Sequence, residues 1–268
     1  MLKGLKVTLV LTLLVTLMTA CSSAKAPDAG PGSSASARIG EIQKKGVLVV
    51  GTANYRPFEY HDEKTNQLVG FDVDVADQIA KSLGVKVEWK EMQFAGLIPA
   101  LQAGQVDMVI AAMYITDQRK EVVDFADPYV DTGLVMITRK NDDRIKSLSD
   151  LDGKTVGVKL GATGAKAADR LKQEGRKIEI KQYNDTLDSF SDLLVSRVDV
   201  VFNDKLNTLE YLKTHPQLQI VGDTFDKASL GISVKKGDKD LLDRINDVVR
   251  KMKSQGQIDQ LFQKWLKS

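Results

Sequence analysis

The sequence predicts an α/β fold made of two successive strand–helix series, and two stretches of the same build carry that expectation. In the first, Leu97, Leu101 and Gly104 lead into an apolar, β-branched run over 106–110, which reads as a buried strand. The chain then passes through Ala111, Ala112, Met113 and Tyr114 to Thr116-Asp117, a helix start, with Arg119 just inside it. In the second, Leu187, Phe190, Leu193 and Leu194 have helical spacing and precede Val198-Asp199-Val200-Val201-Phe202, which breaks into Asn203-Asp204. In open α/β sheets ligands gather at the carboxyl ends of strands. Arg119 is therefore either a surface helix residue or a cation beside a ligand, where its planar guanidinium can grip a carboxylate through two parallel bonds. One strand end closes on a cation and the other on an anion. Facing each other across a cleft, they suit a zwitterion.

The N-terminal segment is read separately from the fold. Lys3 and Lys6 precede an apolar run over 7–20 broken only by threonines, too short for the roughly 20 apolar residues of a bilayer span. Residues 1–20 are expected to be a secretory signal. Cys21 follows small residues and is the chain's one cysteine, so the body folds without an internal disulfide. The Ser/Ala/Gly/Pro-rich stretch over 22–37 reads as a flexible tether, taken with Cys21 to span 21–44.

The remaining elements follow in order. An apolar run over 47–52 is a first strand, and it runs into Tyr55 and Phe58. Residues 61–70 read as a charged hairpin-like loop. Val75, Ala76, Ile79, Ala80 and Leu83 give an amphipathic helix stopped by Gly84. Val85, Val87 and Trp89 alternate as a half-buried strand, with Phe94 beyond its end. A short helix is expected over 117–123, a crossover over 129–133 and a strand over 134–138. The second series has a strand over 155–159, a small-residue loop over 161–164, a helix over 165–173, and a strand around Ile178 and Ile180. Asp185 or Thr186 caps the next helix. After Asp204 come a helix over 205–214, a strand over 218–221 and an apolar return over 228–234. Two amphipathic helices close the chain, marked by Leu241, Ile245 and Val249 and by Ile258, Leu261 and Trp265.

Composition narrows the function. The 268 residues are 43% hydrophobic and 28% charged, ordinary globular material. Taking Lys3 and Lys6 from the 38 basic residues leaves 36, equal to the 36 acidic ones, so the body has no excess charge with which to neutralise nucleic-acid phosphates. Enzyme signatures are missing as well. Gly153-Lys154-Thr155 lacks the upstream glycine of a phosphate loop, position 148 being leucine, and no Gly-x-Gly-x-x-Gly occurs. His61 and His215 have no metal-ligand spacing, and acid pairs such as Asp72/Asp74 fall at helix starts, where acids are common. No cofactor or metal is expected.

Several segments in order carry a resemblance. They are Gly51-Thr52-Ala53-Asn54-Tyr55-Arg56-Pro57-Phe58-Glu59-Tyr60, Gly70-Phe71-Asp72-Val73-Asp74, Ile115-Thr116-Asp117-Gln118-Arg119-Lys120, Val123-Asp124-Phe125-Ala126-Asp127-Pro128-Tyr129, Leu151-Asp152-Gly153-Lys154-Thr155-Val156-Gly157-Val158 and Lys264-Trp265-Leu266. From about Lys45 onward the chain resembles an extracellular solute-binding protein of family 3, the amino-acid-binding subunit of a bacterial ABC importer. The resemblance implies a two-lobed periplasmic-binding-protein-like fold of type II, with the cleft between lobes joined by two crossover strands. It places lobe 1 at 45–128 plus 231–268, lobe 2 at 134–225 and the hinge crossovers at 129–133 and 226–230. It implies acylation of Cys21 as in a lipoprotein, although Met18 stands where such signals usually have leucine.

The resemblance also assigns the site. Arg119 would clamp the α-carboxylate, helped by Thr163 at a helix start, and Asp204 would accept from the α-ammonium. Ala112, Met113 and Tyr114 would complete the shell, with Tyr55 and Phe94 sandwiching the aliphatic part. Lys159 and Asn203 would either set side-chain specificity or form a solvent-facing rim. Relatives often carry an additional acid after the first strand, and Ala53-Asn54 lacks it, which favours a neutral polar or sulfur-containing amino acid over a basic one. The expected partners are an L-amino acid, the importer's membrane subunits and the membrane itself through the lipid, with the protein outside the cytoplasm and monomeric. An enzyme on the same fold and a sensory receptor domain are the alternatives. The latter is disfavoured by the expectation that no span or signalling segment follows Ser268.

Overall fold

The computed structural model describes residues 37–266; the signal segment, Cys21 and the tether as far as 36 lie outside them. The first described element is a helix, α1 (Ala37–Lys45), within the span expected to be tether. Tertiary docking rather than propensity explains it. Ile42 is fully buried, Arg38 pairs with Asp107 at 2.5 Å, and the Ile39 N–H donates to Asp240 at 2.9 Å.

The apolar run after α1 forms β1 (Val47–Thr52). A hairpin of β2 (Tyr60–His61) and β3 (Leu68–Val69) leads to α2 (Phe71–Leu83), ended by Gly84 in the left-handed conformation, as its position predicts. The strand β4 (Lys86–Glu91) and the helix α3 (Leu97–Gln102) follow, then β5 (Met108–Val109). Both β4 and β5 lie parallel to β1, with Val47 opposite Lys86 and Val50 opposite Met108. Of the run over 106–110 two residues form the strand itself, flanked by bonds from the Asp107 and Ile110 N–H groups to the Val49 and Gly51 carbonyls, and the backbone takes a positive φ at Ala112 (45°).

The helix expected over 117–123 is a single turn, α4 (Asp117–Lys120), followed by a short strand, β6 (Val123–Phe125). The β-branched Val122-Val123 pair favours extended backbone once a partner strand exists. The crossover and strand expected over 129–138 are one ten-residue strand, β7 (Val130–Arg139).

The second series forms β8 (Thr155–Lys159), α5 (Thr163–Gln173), β9 (Glu179–Tyr183), α6 (Thr186–Leu194), β10 (Val200–Asp204) and α7 (Lys205–Leu212). Asp185 is the cap of α6, accepting from the Leu187 N–H at 2.8 Å. The long strand β11 (Leu218–Leu230) joins the two apolar segments read separately in the sequence. Polar Gly222-Asp223-Thr224 interrupts the pattern, and the pairing with β7 shifts register there without ending. The chain returns through β12 (Ser233–Lys235) to α8 (Lys239–Ser254) and α9 (Gln257–Trp265). Leu241, Ile245, Val249 and Met252 form the buried stripe of α8, each side chain contributing roughly 1.5–3 kcal/mol.

Two five-stranded sheets result, ordered β4-β1-β5-β12-β6 and β11-β7-β10-β8-β9. β7 and β11, paired from Leu218–Arg139 to Leu230–Val130, carry the chain between the lobes these sheets form.

A candidate ligand-binding site between the lobes

Both lobes send strand ends into one cavity. Tyr55 follows β1, with its N–H on the Glu59 carbonyl at 2.6 Å and its ring stacked on Phe58 at 6.2 Å. Phe94 lies in a 3₁₀ turn after β4 (Phe94–Gly96). Ala112 and Tyr114 follow β5. The positive φ of Ala112 is costly for a residue with a Cβ. It is held by Asp72, whose Oδ2 accepts from the Ala112 N–H at 2.7 Å and from the Tyr129 hydroxyl at 3.0 Å. Asp72 lies in the first turn of α2, as its position implied, and is fully buried behind the site.

Arg119 is positioned by α4, whose cap Thr116 accepts from the Arg119 N–H at 3.3 Å. Its Nη1 donates to the Tyr114 carbonyl at 2.6 Å, its Nη2 to Gly161 of the other lobe at 3.1 Å, and the guanidinium lies 5.4 Å from the Phe94 ring centroid. Burial lowers its pKa to about 10, and no acid stands among the groups that oppose this.

From the second lobe, Lys159 ends β8 and Thr163 opens α5, a helix start that no side chain caps. Such a start presents N–H groups to an anion. Asn203 and Asp204 end β10, and Asp204 caps α7 by accepting from Leu206 N–H at 2.8 Å and Asn207 N–H at 3.1 Å. Lys159 is 8% exposed, with its Nζ 4.8 Å from the Tyr55 ring centroid and 5.1 Å from that of Phe94. Burial lowers its pKa, while the charges of Glu59 and Asp185 act to raise it. Burial likewise raises the pKa of Asp204 against its four hydrogen bonds.

The structure thus brings together every ligand-binding candidate read from the sequence except Met113. Met113 is 1% exposed and packs in the first lobe's core with Leu97, Leu101 and Val123, apart from the cluster that takes in Ala112 and Tyr114. The cavity also takes in Leu134, Phe202 and Gly164, which the sequence reading passed over. Gly164 had a readable signal, a glycine at a helix start. A Cβ there would lie 2.9 Å from the Phe202 carbonyl oxygen, so glycine is what lets α5 approach β10.

Behind the site, Asp72 and Glu59 form a fully buried carboxyl pair. Burial, then the neighbouring Asp72 charge, pushes Glu59 well above the usual carboxylate range. Burial also raises Asp72 to about 6. Because the folded value exceeds the unfolded one, the Asp72 contribution is fully present below about pH 4 and is lost as pH rises through about 6. The stability difference between Asp72→Asn and the parent, measured by urea unfolding, is expected to shift in favour of the variant by up to about 3 kcal/mol from pH 4 to pH 7. A difference that stays flat over that window contradicts the assignment.

The model for bacterial extracellular solute-binding proteins, family 3, matches residues 48–268. The L-cystine-binding protein TcyJ of Escherichia coli (strain K12) is 33% identical over 230 residues, covering 85% of each chain. An ancestral arginine-binding protein solved with arginine bound is 45% identical, with a TM-score of 0.78 over 82% of this chain and 98% of that one. The ancestral amino acid-binding protein AncCDT-1, a precursor of cyclohexadienyl dehydratase, is 38% identical, with a TM-score of 0.79 over 85% and 99%. The architecture shared with these structures is the two-lobed type II fold. With a match across nearly the whole described body, the chain belongs to the bacterial extracellular solute-binding proteins of family 3.

Proposed function

We propose that this protein captures an L-amino acid in the interlobe cleft and hands it to an ABC importer, staying at the membrane outside the cytoplasm through lipid on Cys21. It works as a monomer and as a receptor rather than an enzyme. What carries this reading is that Arg119 and Asp204, on different lobes, line one cavity. A zwitterion leaving water needs both charges met, and charge-assisted bonds contribute ~1.5–3 kcal/mol each. Only the closed arrangement supplies both, so the ligand favours closure through that difference in affinity.

Arg119, Thr163 and the start of α5 hold the α-carboxylate, Asp204 the α-ammonium, and Tyr55 and Phe94 the aliphatic portion. Ala112, Tyr114 and Asn203 complete the wall. Lys159 carries its own cation between the two aromatic rings. A basic ligand side chain entering that slot meets like charge, whereas a polar or sulfur-containing one does not. Related proteins include an L-cystine-binding protein and an arginine-binding protein.

The test is a thermal-shift screen against the amino acids, followed by calorimetry. At a hundredfold excess over Kd, a true ligand adds about 2.7 kcal/mol and raises Tm by roughly 5–10 °C. No shift with any amino acid refutes the proposal. The likeness to a dehydratase precursor keeps an enzyme on this fold as the second reading. Chemical change of the bound ligand on prolonged incubation would favour it.

A further inference from the structure

The carboxylate assigned to the ligand's ammonium is already fully bonded. Asp204 Oδ1 accepts from the N–H groups of Leu206 and Asn207. Its Oδ2 accepts from the Tyr114 hydroxyl at 2.7 Å and from the Thr132 hydroxyl at 2.7 Å. A carboxylate offers about four acceptor positions, so an incoming ammonium must displace a donor. The two backbone donors are fixed by the first turn of α7, and Thr132 sits on β7 within the same sheet as Asp204. Among the described residues Tyr114 is the one donor that reaches the Asp204 carboxylate from the first lobe, and it does so from inside the cavity, where it is 4% exposed.

We propose that Tyr114 sets the affinity of this receptor, its hydroxyl serving as an internal stand-in for the ligand's α-ammonium. The inference rests on the amino-acid reading above. Capture is then an exchange: the tyrosine O–H leaves Asp204 Oδ2 and an ammonium N–H takes its place. The exchange favours a cation over a neutral donor. An ammonium brings positive charge to a buried carboxylate whose pKa burial has raised, and a ligand hydroxyl merely replaces one neutral O–H with another. Displacement is therefore more favourable for an amino acid than for the 2-hydroxy acid of the same side chain, as it would be at an open carboxylate. The tyrosine acts on absolute affinity, because the fraction of molecules with Asp204 available is reduced for every ligand alike.

The bond also joins the lobes. With the Tyr55 hydroxyl on Asn203 Oδ1 at 2.8 Å and Arg119 on the Gly161 carbonyl, it forms a set of cleft-spanning contacts made by the chain itself. Of these, only the Tyr114 bond occupies the acceptor that an α-ammonium requires.

Tyr114→Phe keeps the ring and removes the competing hydroxyl. Calorimetry on the full extracytoplasmic chain, with the amino acid identified in the screen and its 2-hydroxy analogue as probes, is expected to show the amino acid binding about tenfold more tightly. The hydroxy analogue is expected to gain by a similar factor, because it displaces the same hydroxyl. A thermal unfolding curve on each protein confirms that both are folded. Unchanged or weaker amino-acid binding in the variant overturns the proposal while leaving the parent's amino-acid binding intact. A parent that binds no amino acid overturns both readings together.

Discussion

Arg119→Ala is expected to weaken amino-acid binding by about 2–5 kcal/mol, a loss of roughly 30-fold to several thousandfold. The guanidinium is buried enough to bring its pKa down to about 10, and among the described residues no carboxylate offsets that burial. It is held between lobes by the Tyr114 and Gly161 carbonyls, so its plane is fixed before a carboxylate meets it. Preorganisation of this kind reduces the ordering cost of binding. Truncation removes the favourable pair and leaves the ligand's carboxylate desolvated without a counter-charge, and the second effect accounts for much of the loss. Arg119→Lys retains the charge but cannot reproduce the planar fork or its stacking near Phe94, and recovers only part of the affinity. Calorimetric affinity unchanged in Arg119→Ala would remove Arg119 from the site.

The residues that made this prediction possible were legible in the sequence because each closes a local pattern. Arg119 follows Thr116 by the spacing of a helix cap, and Asp204 ends an apolar run before a helix. What was not legible depends on relations between elements far apart in the chain. The span 123–125 becomes a strand because β12, from the C-terminal part, lies beside it with Ser233 opposite Phe125. The continuity of β11 comes from its pairing with β7, which the polar residues at its bulges conceal. α1 has little apolar content, and its stability comes from Asp107 and Asp240. The bond from Tyr114 to a residue 90 positions away could not have been inferred from either segment alone. The same holds for Asp72, which looked like a capping acid and instead holds the Ala112 N–H, 40 positions distant.

The largest loss of stability is expected from Gly70→Ala. Gly70 immediately precedes α2 with φ 141° and ψ −179°, a region of backbone space open to glycine alone. A Cβ built there lies 2.1 Å from the Phe58 carbonyl oxygen and 2.9 Å from that of Pro57. Those two carbonyls accept the first N–H groups of α2, from Asp72 at 2.9 Å and Phe71 at 3.1 Å. The methyl group therefore cannot be accommodated by a side-chain shift: the helix start must move off the 57–58 backbone. Strain of ~1–3 kcal/mol and two disturbed hydrogen bonds of ~0.5–1.5 kcal/mol each give an expected loss of about 3–5 kcal/mol. Gly84→Ala is the matched comparison. Gly84 also has a positive φ, 72°, but a Cβ there meets nothing within 4 Å, so only the left-handed backbone penalises it, by about 1–2 kcal/mol. Urea unfolding of both variants separates the two causes, and equal losses would show that close approach of backbone at Gly70 contributes nothing. The consequence reaches the ligand as well, because the carbonyls that Gly70 admits lie between Tyr55 and Asp72, which places the Ala112 N–H. Residual folded Gly70→Ala protein should therefore bind its amino acid more weakly, although Gly70 lines no part of the cavity.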